Sequence, residues 1–329
     1  RDMEKRPLAA DEVRIRVMAC GVCGTDVHIY HGEAGSAEVT PPVVLGHEYA
    51  GIVEEVGADV KGLVPGDHVA VDPNIYCGAS TPCRDGKKQF CEHLQALGVT
   101  RDGGFAQYSA APAAQCFKLA PELPLEAGAM AEPLACCLHG IDAAGIRPGS
   151  TVCVIGGGAI GLLMVQLARL SGAAKVILSE PVELRRSAGL SVGADLAVDP
   201  LREDLSARVR EAAGKSGADV VIECVGNTAA TRSAFEAAGF GATVLLFSVP
   251  APTATVPLPL FDVYKKELAI RGSFINPDTH LRAVELLSAG RINVEPLITH
   301  TFGIGEMEQA IKMQMGGESI KVMVLPNKR

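Results

Sequence analysis

The stretch that decides the fold is VCVIGGGAIG, residues 152–161, in which an apolar run leads into three glycines and then a helical pattern. It fits the pattern G-x-G-x-x-G, which is specific only where a strand precedes it and a helix follows, as here. Gly156 then makes the tight turn, Gly158 lets the backbone approach a pyrophosphate, and Gly161 lets helix and strand pack closely. The helix N-terminus offers free N–H groups to the phosphates. A glycine-rich turn in some other α/β domain is the alternative.

An acidic residue follows the next apolar strand, roughly 20 residues beyond the glycines, where dinucleotide sites place it. Glu180 comes directly after VILS, residues 176–179, and Pro181 rather than an Arg comes next. A carboxylate there accepts hydrogen bonds from ribose hydroxyls and repels a 2′-phosphate, so the sequence predicts NAD rather than NADP. The predicted cofactor-binding residues are Gly156, Gly158, Ala159, Ile160, Gly161, Glu180 and Arg185.

The pattern on either side of this motif predicts two kinds of structure. Residues 1 to about 120 look all-β, with short apolar runs at 13–17, 50–56 and 68–71 broken by Gly, Pro and Asp. A helix is predicted at 127–144. From Thr151 onward apolar strands alternate with helices, which is typical of a parallel sheet covered on both faces. The strands are predicted at 151–155, 175–179, 219–224 and 243–247, and the helices at 159–171, 182–192, 229–238, 278–289 and 304–314.

Composition excludes several classes of protein. A chain of 329 residues suggests two domains. The net charge of −8 argues against a nucleic-acid partner, which needs a basic surface. No apolar run is long enough to span a membrane, and no secretory signal pattern opens the chain. The ten cysteines therefore point to metal ligation or burial rather than disulfides, and we expect a cytoplasmic location.

Two short segments carry the residue types of a catalytic zinc site. The first is CGVCGTDVH, residues 20–28, and the second is GHE, residues 46–48. Cys, His and carboxylate side chains are the ligands of catalytic zinc, with a fourth position left open. On the residues alone, Cys20 and Cys23 could instead form a redox pair, and His47 could be an ordinary core histidine.

A second group of cysteines comprises Cys77, Cys83 and Cys91, at spacings typical of metal sites. It could bind structural zinc or simply contain three thiols.

Taken together, these motifs show that the chain resembles the zinc-dependent medium-chain alcohol and polyol dehydrogenases over essentially its whole length, closest to the sorbitol and threonine dehydrogenase branch. The resemblance implies a GroES-like β domain, residues 1–137 and 274–329, and a Rossmann domain with a doubly wound parallel sheet, residues 138–273. It also implies a homodimer or homotetramer. The motifs that carry the resemblance are Cys23–Asp26 with His28, Gly46–Glu48, Gly66–Val69, Gly103–Ala106, Glu132–Leu134 and Gly156–Gly161.

The resemblance also assigns the zinc ligands. Cys23 is the thiolate ligand, His47 the imidazole ligand and Glu48 the third protein ligand. Glu132 lies close enough in the polyol branch to exchange with Glu48 or with water. In the classical alcohol dehydrogenases the third ligand is a Cys, and Cys136 occupies that position here. We favour Glu48 and keep Cys136 as the rival; its neighbour Cys137 is assigned to packing.

Three further residues receive roles by resemblance. Asp26 orients His47, although it could be an ordinary turn Asp. Thr25 takes the proton of the substrate hydroxyl, although a Thr there could instead be a helix N-cap. His28 is the next member of the proton relay or contacts the cofactor ribose. Zinc lowers the pKa of the hydroxyl, and the resulting alkoxide gives its hydride to the nicotinamide.

The chain departs from the family pattern in three places. Ser80 stands where the family has the second of four structural-zinc cysteines, so we expect that site to bind zinc weakly or not at all. The Arg-Tyr pair of sorbitol dehydrogenase is missing after Gly272, and Thr301 replaces a frequent Arg. These changes argue against sorbitol itself.

The sequence thus predicts an enzyme that transfers hydride between NAD and a secondary alcohol. We expect this alcohol to be a polyol or a sugar alcohol. The alternatives are an L-threonine 3-dehydrogenase, a zinc-free quinone reductase, which would lack Cys23 and the GHE motif, and a non-catalytic NAD-binding protein.

Overall fold

The computed structural model describes residues 3–32 and 39–328. Within these residues the strands are β1 Glu12–Gly21, β2 Glu48–Val56, β3 His68–Val71, β4 Asn74–Ile75, β5 Gln95–Ala96, β6 Tyr108–Pro112, β7 Cys116–Lys118, β8 Thr151–Ile155, β9 Lys175–Ser179, β10 Leu196–Val198, β11 Ala218–Glu223, β12 Ala238–Leu246, β13 Ala269–Gly272, β14 Ile298–Gly303 and β15 Lys321–Leu325.

The helices complete the element order. They are α1 Gly24–Tyr30, α2 Thr81–Arg84, α3 Leu125–Gly128, α4 Ala131–Ala144, α5 Ala159–Leu170, α6 Glu183–Ser191, α7 Leu205–Ala213, α8 Thr228–Ala237, α9 Leu260–Lys266, α10 His280–Ser288 and α11 Met307–Met315, with short 3₁₀ turns at Lys88–Phe90, Ala113–Gln115, Glu295–Leu297 and Ile304–Glu306. None of the described helices is both long and apolar enough to cross a membrane.

The chain divides into two compact units, one formed by the residues up to Ala135 together with those from Asn276 onward, the other by Cys136–Ile275. The first unit is built on a sheet in the order β14-β15-β1-β2-β3-β7, with β6 also pairing with β1. Val13, Ile15 and Val17 alternate along β1 and belong to a core that also contains Tyr49 and Val69. Strand β1 is central in this sheet, and it runs antiparallel to both β2 and β15.

The second unit is a six-stranded, all-parallel sheet in the order β10-β9-β8-β11-β12-β13. Counted within the unit this is the order 3-2-1-4-5-6, which defines the dinucleotide-binding doubly wound fold. All five residues of β8 are buried, as expected for a strand with helices on both faces. The switch point of the topology lies between β8 and β11, so the loop after β8 opens at the edge where such folds bind ligands.

Several element predictions were wrong in detail. The amino-terminal region is not all-β, because α1 and α2 lie within it.

The helix predicted at 127–144 is two helices, α3 and α4, separated at Ala129 and Met130. Pro133 has no N–H to bond the carbonyl of residue 129, so one continuous helix cannot form, whereas Pro is tolerated in the first turn of α4. The helix predicted from residue 278 begins at His280, because Asp278 has a positive φ of 57°.

Candidate functional site

The metal-donor cluster lies at one end of the first unit's sheet. Strand β1 ends at Gly21, directly opposite Glu48, the first residue of β2. Two residues after Gly21 the chain reaches Cys23, the N-cap of α1. Cys23 Sγ, a ring nitrogen of His47 and a carboxylate oxygen of Glu48 lie within 4.8 Å of one another. His47 and Glu48 are buried while Cys23 is half-buried, so this thiolate, imidazole and carboxylate set fits a catalytic zinc with one open position.

Asp26 lies behind His47. Its Oδ1 is 3.7 Å from His47 Nδ1, and within residues 3–32 and 39–328 neither atom has a hydrogen-bond partner. Its Oδ2 accepts the Cys23 N–H at 2.9 Å, which fixes the first turn of α1. Nδ1 therefore faces the carboxylate, and Nε2 is the nitrogen left for a metal. Burial alone would lower the pKa of His47, but the negative charges of Asp26 and Cys23 outweigh burial and raise it well above its usual value.

Sequence reasoning missed Lys321. This side chain is buried at the start of β15, where it forms an ion pair with Glu48 and donates to the Val22 carbonyl at 3.1 Å. Burial by itself would lower the pKa of Lys321. The negative charges of Glu48 and Cys23 outweigh burial, so the pKa is raised above its usual value. The signal was present, because Lys321 is a single cation at the head of an otherwise apolar strand.

Gly21 makes room for this ion pair. It lies on β1 between β2 and β15, and a Cβ at this position would collide with Glu48 Oε2 and with the Lys321 side chain. The absence of a side chain at Gly21 is thus what allows a carboxylate and an ammonium from the two flanking strands to meet.

The two rival ligands lie on α4. Glu132, its second residue, is buried, and its charge raises the pKa of both His47 and Lys321, which places it near the donor cluster. Cys136 lies one turn further along the helix and is not one of the three clustered donors. Cys137 is fully buried, with its thiol 3.9 Å from the Ile160 carbonyl.

The predicted proton-relay residues lie on α1. Thr25 and His28 are three positions apart on this helix, so they share one face, and both are half-buried. The alternative in which Thr25 is an N-cap is wrong, because Cys23 occupies the N-cap position. The redox pairing of Cys20 with Cys23 is also wrong in this structure, since both thiols are free and Cys20 is fully buried in the core.

The glycine-rich loop of the second unit joins β8 to α5. Gly156 has a positive φ of 100°, and a Cβ on Gly161 would collide with the Gly156 carbonyl, so both positions require glycine. Gly158 is the N-cap of α5 and faces open space. The first N–H groups of this helix, including those of Ala159 and Ile160, have no acceptor within the helix. They are available for an anion such as pyrophosphate.

Glu180 is buried at the end of β9, with both oxygens bound to backbone. Oε2 accepts the Gly157 N–H at 2.6 Å, and Oε1 accepts the Val182 N–H at 2.9 Å. The carboxylate is thus held against the glycine-rich loop. Arg185 is half-buried on α6, whereas its neighbour Arg186 donates to the Glu180 and Pro181 carbonyls at 2.8 and 2.6 Å.

The remaining cysteine cluster lies apart from the Cys23 cluster in sequence. The sulfurs of Cys77, Cys83 and Cys91 lie within 4.8 Å of one another. Ser80 is buried beside them, with its hydroxyl 3.9 Å from Cys91 Sγ. Three thiols and a hydroxyl do not fit the closed four-ligand set of a structural zinc.

A donor cluster suited to catalytic zinc on one unit, and on the other a glycine-rich loop with a buried acid held against it, are the features expected of a zinc-dependent, nicotinamide-linked dehydrogenase. Comparison with known proteins agrees. Residues 9–121 match the alcohol dehydrogenase GroES-like domain family, and residues 159–289 match the zinc-binding dehydrogenase family. The chain belongs to the medium-chain zinc-dependent dehydrogenases, which confirms the predicted family and the predicted fold class.

Individual relatives show the range of the family around this chain. L-threonine 3-dehydrogenase of Pyrococcus horikoshii is 34% identical over 318 residues, 95% of this chain and 91% of the relative. L-idonate 5-dehydrogenase of Vitis vinifera is 36% identical over 321 residues, 95% and 87% of the two chains. A candidate zinc-binding dehydrogenase of Sinorhizobium meliloti, solved with NADP, superposes with a TM-score of 0.93 at 41% identity, covering 98% of this chain and 94% of that one. The protein is therefore a zinc-dependent NAD(P)-linked dehydrogenase of a small alcohol-type substrate.

Proposed function

We propose that the enzyme oxidises a secondary hydroxyl of a small polyol or sugar alcohol and passes the hydride to NAD. The observation that carries this proposal is the convergence of Cys23, His47 and Glu48 within 4.8 Å. Zinc held by these residues supplies a Lewis acid that lowers the pKa of the substrate hydroxyl towards neutrality. The half-buried Cys23 leaves one side of the cluster accessible to that hydroxyl.

The other residues of the site orient the ligands and carry the proton. Asp26, 3.7 Å from His47 Nδ1, fixes the ring orientation of His47. Thr25 accepts the proton of the hydroxyl, and His28, on the same face of α1, passes it towards solvent. Glu132 is the carboxylate that exchanges with Glu48 as a ligand, and the ion pair with Lys321 keeps Glu48 at the sheet end.

The preference for NAD rests on Glu180. Its carboxylate is fixed by two backbone N–H groups, so it cannot swing away from a phosphate on the ribose without breaking both bonds. A fixed negative charge there favours the free ribose hydroxyls of NAD. The Sinorhizobium meliloti relative binds NADP, so cofactor preference is the part of the proposal that most needs measurement.

L-Threonine is the second candidate substrate. The Pyrococcus horikoshii relative acts on threonine and the Vitis vinifera relative on idonate, at nearly equal identity to this chain. Both compounds carry a secondary hydroxyl, so the same donor cluster suits either.

We further propose that the enzyme works as a homodimer or homotetramer. Leu260, Phe261 and Tyr264 on α9 are 70% or more exposed. Among the described strands, β13 pairs only with β12, which makes it an edge. Exposed large apolar side chains and an unpaired strand edge are both features that proteins normally cover.

The proposal is tested by NAD reduction with zinc-replete protein against matched sugar alcohols, simple alcohols and L-threonine. Turnover with polyols and none with threonine supports the first candidate, and the reverse selects the second. Metal-free protein should be inactive and regain activity with zinc. Turnover with none of the compounds, by protein that binds NAD, would favour a non-catalytic NAD-binding protein.

A further inference from the structure

Cys77, Cys83 and Cys91, which lie outside the proposed active site, belong to what we call the three-thiol lobe, residues 77–91, between β4 and β5. Two of its thiols, Cys83 and Cys91, are buried, whereas Cys77 is exposed. All three sulfurs lie within 4.8 Å of one another, and all three are free thiols. Their convergence is unexplained by the dehydrogenase reaction, because none of them belongs to the Cys23 cluster.

The backbone of the lobe is arranged around these sulfurs. The N–H groups of Ala79 and Ser80 point at Cys77 Sγ, at 3.4 and 3.3 Å, and the Cys77 N–H points at Cys91 Sγ at 3.3 Å. Hydrogen bonds from N–H groups are stronger to a charged acceptor than to a neutral one, so these donors suit the thiolates of a metal site. Two of the three sulfurs thus already face backbone donors.

The group at the fourth coordination position determines which metal ion the three-thiol lobe can bind. Ser80 is buried beside the sulfurs, and its hydroxyl lies 3.9 Å from Cys91 Sγ, as a donor to sulfur rather than as a ligand. Structural zinc takes four strong ligands, and iron–sulfur clusters of the common types also require four. Three thiolates and a neutral hydroxyl satisfy neither. Soft sulfur ligands also select monovalent copper, for which three sulfurs are a complete coordination shell.

We propose that the three-thiol lobe binds a single Cu(I) ion through Cys77, Cys83 and Cys91, in preference to zinc. The exposed side of Cys77 is the entry path for the ion. The ion is bound and not turned over, so the site is independent of the proposed alcohol oxidation.

The test uses reduced, zinc-replete enzyme under anaerobic conditions, titrated with Cu(I) in competition with bicinchoninate. We expect uptake of a single Cu(I) per chain without release of the active-site zinc, and an X-ray absorption spectrum showing three sulfur neighbours. Cys77→Ser leaves two thiols in the lobe, so it should bind Cu(I) more weakly than the unchanged enzyme and show fewer than three sulfur neighbours. Cys116→Ser, which changes a cysteine outside both clusters, should bind Cu(I) as the unchanged enzyme does.

Ser80→Cys supplies the missing thiol and should convert the lobe to a zinc site, with a second zinc per chain that the unchanged enzyme lacks. Circular dichroism would confirm that each variant is folded. The proposal is overturned if the unchanged enzyme already carries two zinc ions per chain, if Cu(I) enters only by displacing the active-site zinc, or if Cys77→Ser binds Cu(I) normally. A disulfide that re-forms in the lobe and prevents copper uptake would likewise overturn it, identifying a thiol–disulfide pair instead.

Discussion

Lys321 and Glu48 form an ion pair that crosses β1 above Gly21, with side chains only 4% and 2% exposed. The carboxylate proposed as a zinc ligand is therefore already matched by a cation from β15, the strand on the other side of β1. A buried carboxylate without a partner is costly, so this ammonium stabilises the site before any metal binds. Glu48 is shared between the ammonium and the donor cluster.

Replacing Lys321 by Met should destabilise the metal-free protein by roughly 3–5 kcal/mol, the usual cost of leaving one member of a buried ion pair uncompensated. Bound zinc should reduce this difference in stability between Lys321→Met and the unchanged protein, because a cation again faces Glu48. Urea unfolding of metal-free and zinc-loaded protein measures both effects. The double variant Lys321→Met/Glu48→Gln removes the stranded charge and should recover part of the loss. Equal stability of Lys321→Met and the unchanged protein without metal would show that the pair contributes nothing.

The zinc-ligand assignment predicts a specific pattern of metal content. Cys23→Ser and Glu48→Gln should each lose zinc and activity together, because each removes one of three clustered donors. Cys136→Ser is the matched control and should retain zinc, since Cys136 is not among them. Metal analysis after dialysis against a weak chelator shows which of the variants retain zinc, and so distinguishes Glu48 from Cys136 as the third ligand. If Cys136→Ser loses zinc while Glu48→Gln keeps it, the third ligand is the cysteine.

The parts of the fold with strong local signals could be predicted from the sequence. The glycine-rich loop, the strand before it and the acid after the next strand all depend on contacts within one βαβ unit. Helix α7 was missed although its signals are present: Asp204 caps it by accepting the Ala207 N–H at 3.1 Å, and Gly214 ends it with a φ of 65°. Strand β13 has only four residues, largely exposed, and its position depends on β12 rather than on its own pattern.

The candidate site was predictable only in part for the same reason. Cys23, His47 and Glu48 belong to short motifs that local spacing reveals. Lys321 lies 273 residues from Glu48, and the two meet only because β1 pairs with both β2 and β15. A relationship set by sheet register leaves no local pattern in a single sequence. Only the isolated lysine in an apolar strand hinted at it.

Cofactor preference should respond to Glu180. Glu180→Ser removes the fixed carboxylate and should lower the ratio of kcat/KM for NAD over NADP by about tenfold or more, a change that corresponds to about 1.4 kcal/mol of discrimination. Glu183→Ser is the matched control, because Glu183 is an exposed acid three residues further on. An unchanged ratio in Glu180→Ser would remove the physical basis for predicting NAD.

His280 should make the stability of the protein depend on pH. Its ring is buried against Phe117 at 4.9 Å between centroids, and within residues 3–32 and 39–328 neither ring nitrogen has a hydrogen-bond partner. Burial lowers the pKa of His280 to about 3. The unfolded chain takes up a proton as the pH falls through about 6.5, while the folded protein does not until about pH 3. The contribution of the neutral, buried His280 ring to stability is therefore fully present above about pH 6.5. It is lost progressively as the pH falls from there towards about 3.

The loss should approach about 1.4 kcal/mol per pH unit below pH 6.5, the slope for one proton bound only by the unfolded state. His280→Leu keeps the ring site apolar and removes that proton, so its unfolding free energy should fall less steeply between about pH 7 and about pH 5. Urea midpoints across this range measure the slope. His93→Leu, which removes an exposed histidine, should leave the slope of the unchanged protein intact. Identical slopes for His280→Leu and the unchanged protein would mean that the buried ring is protonated or solvated in the folded state.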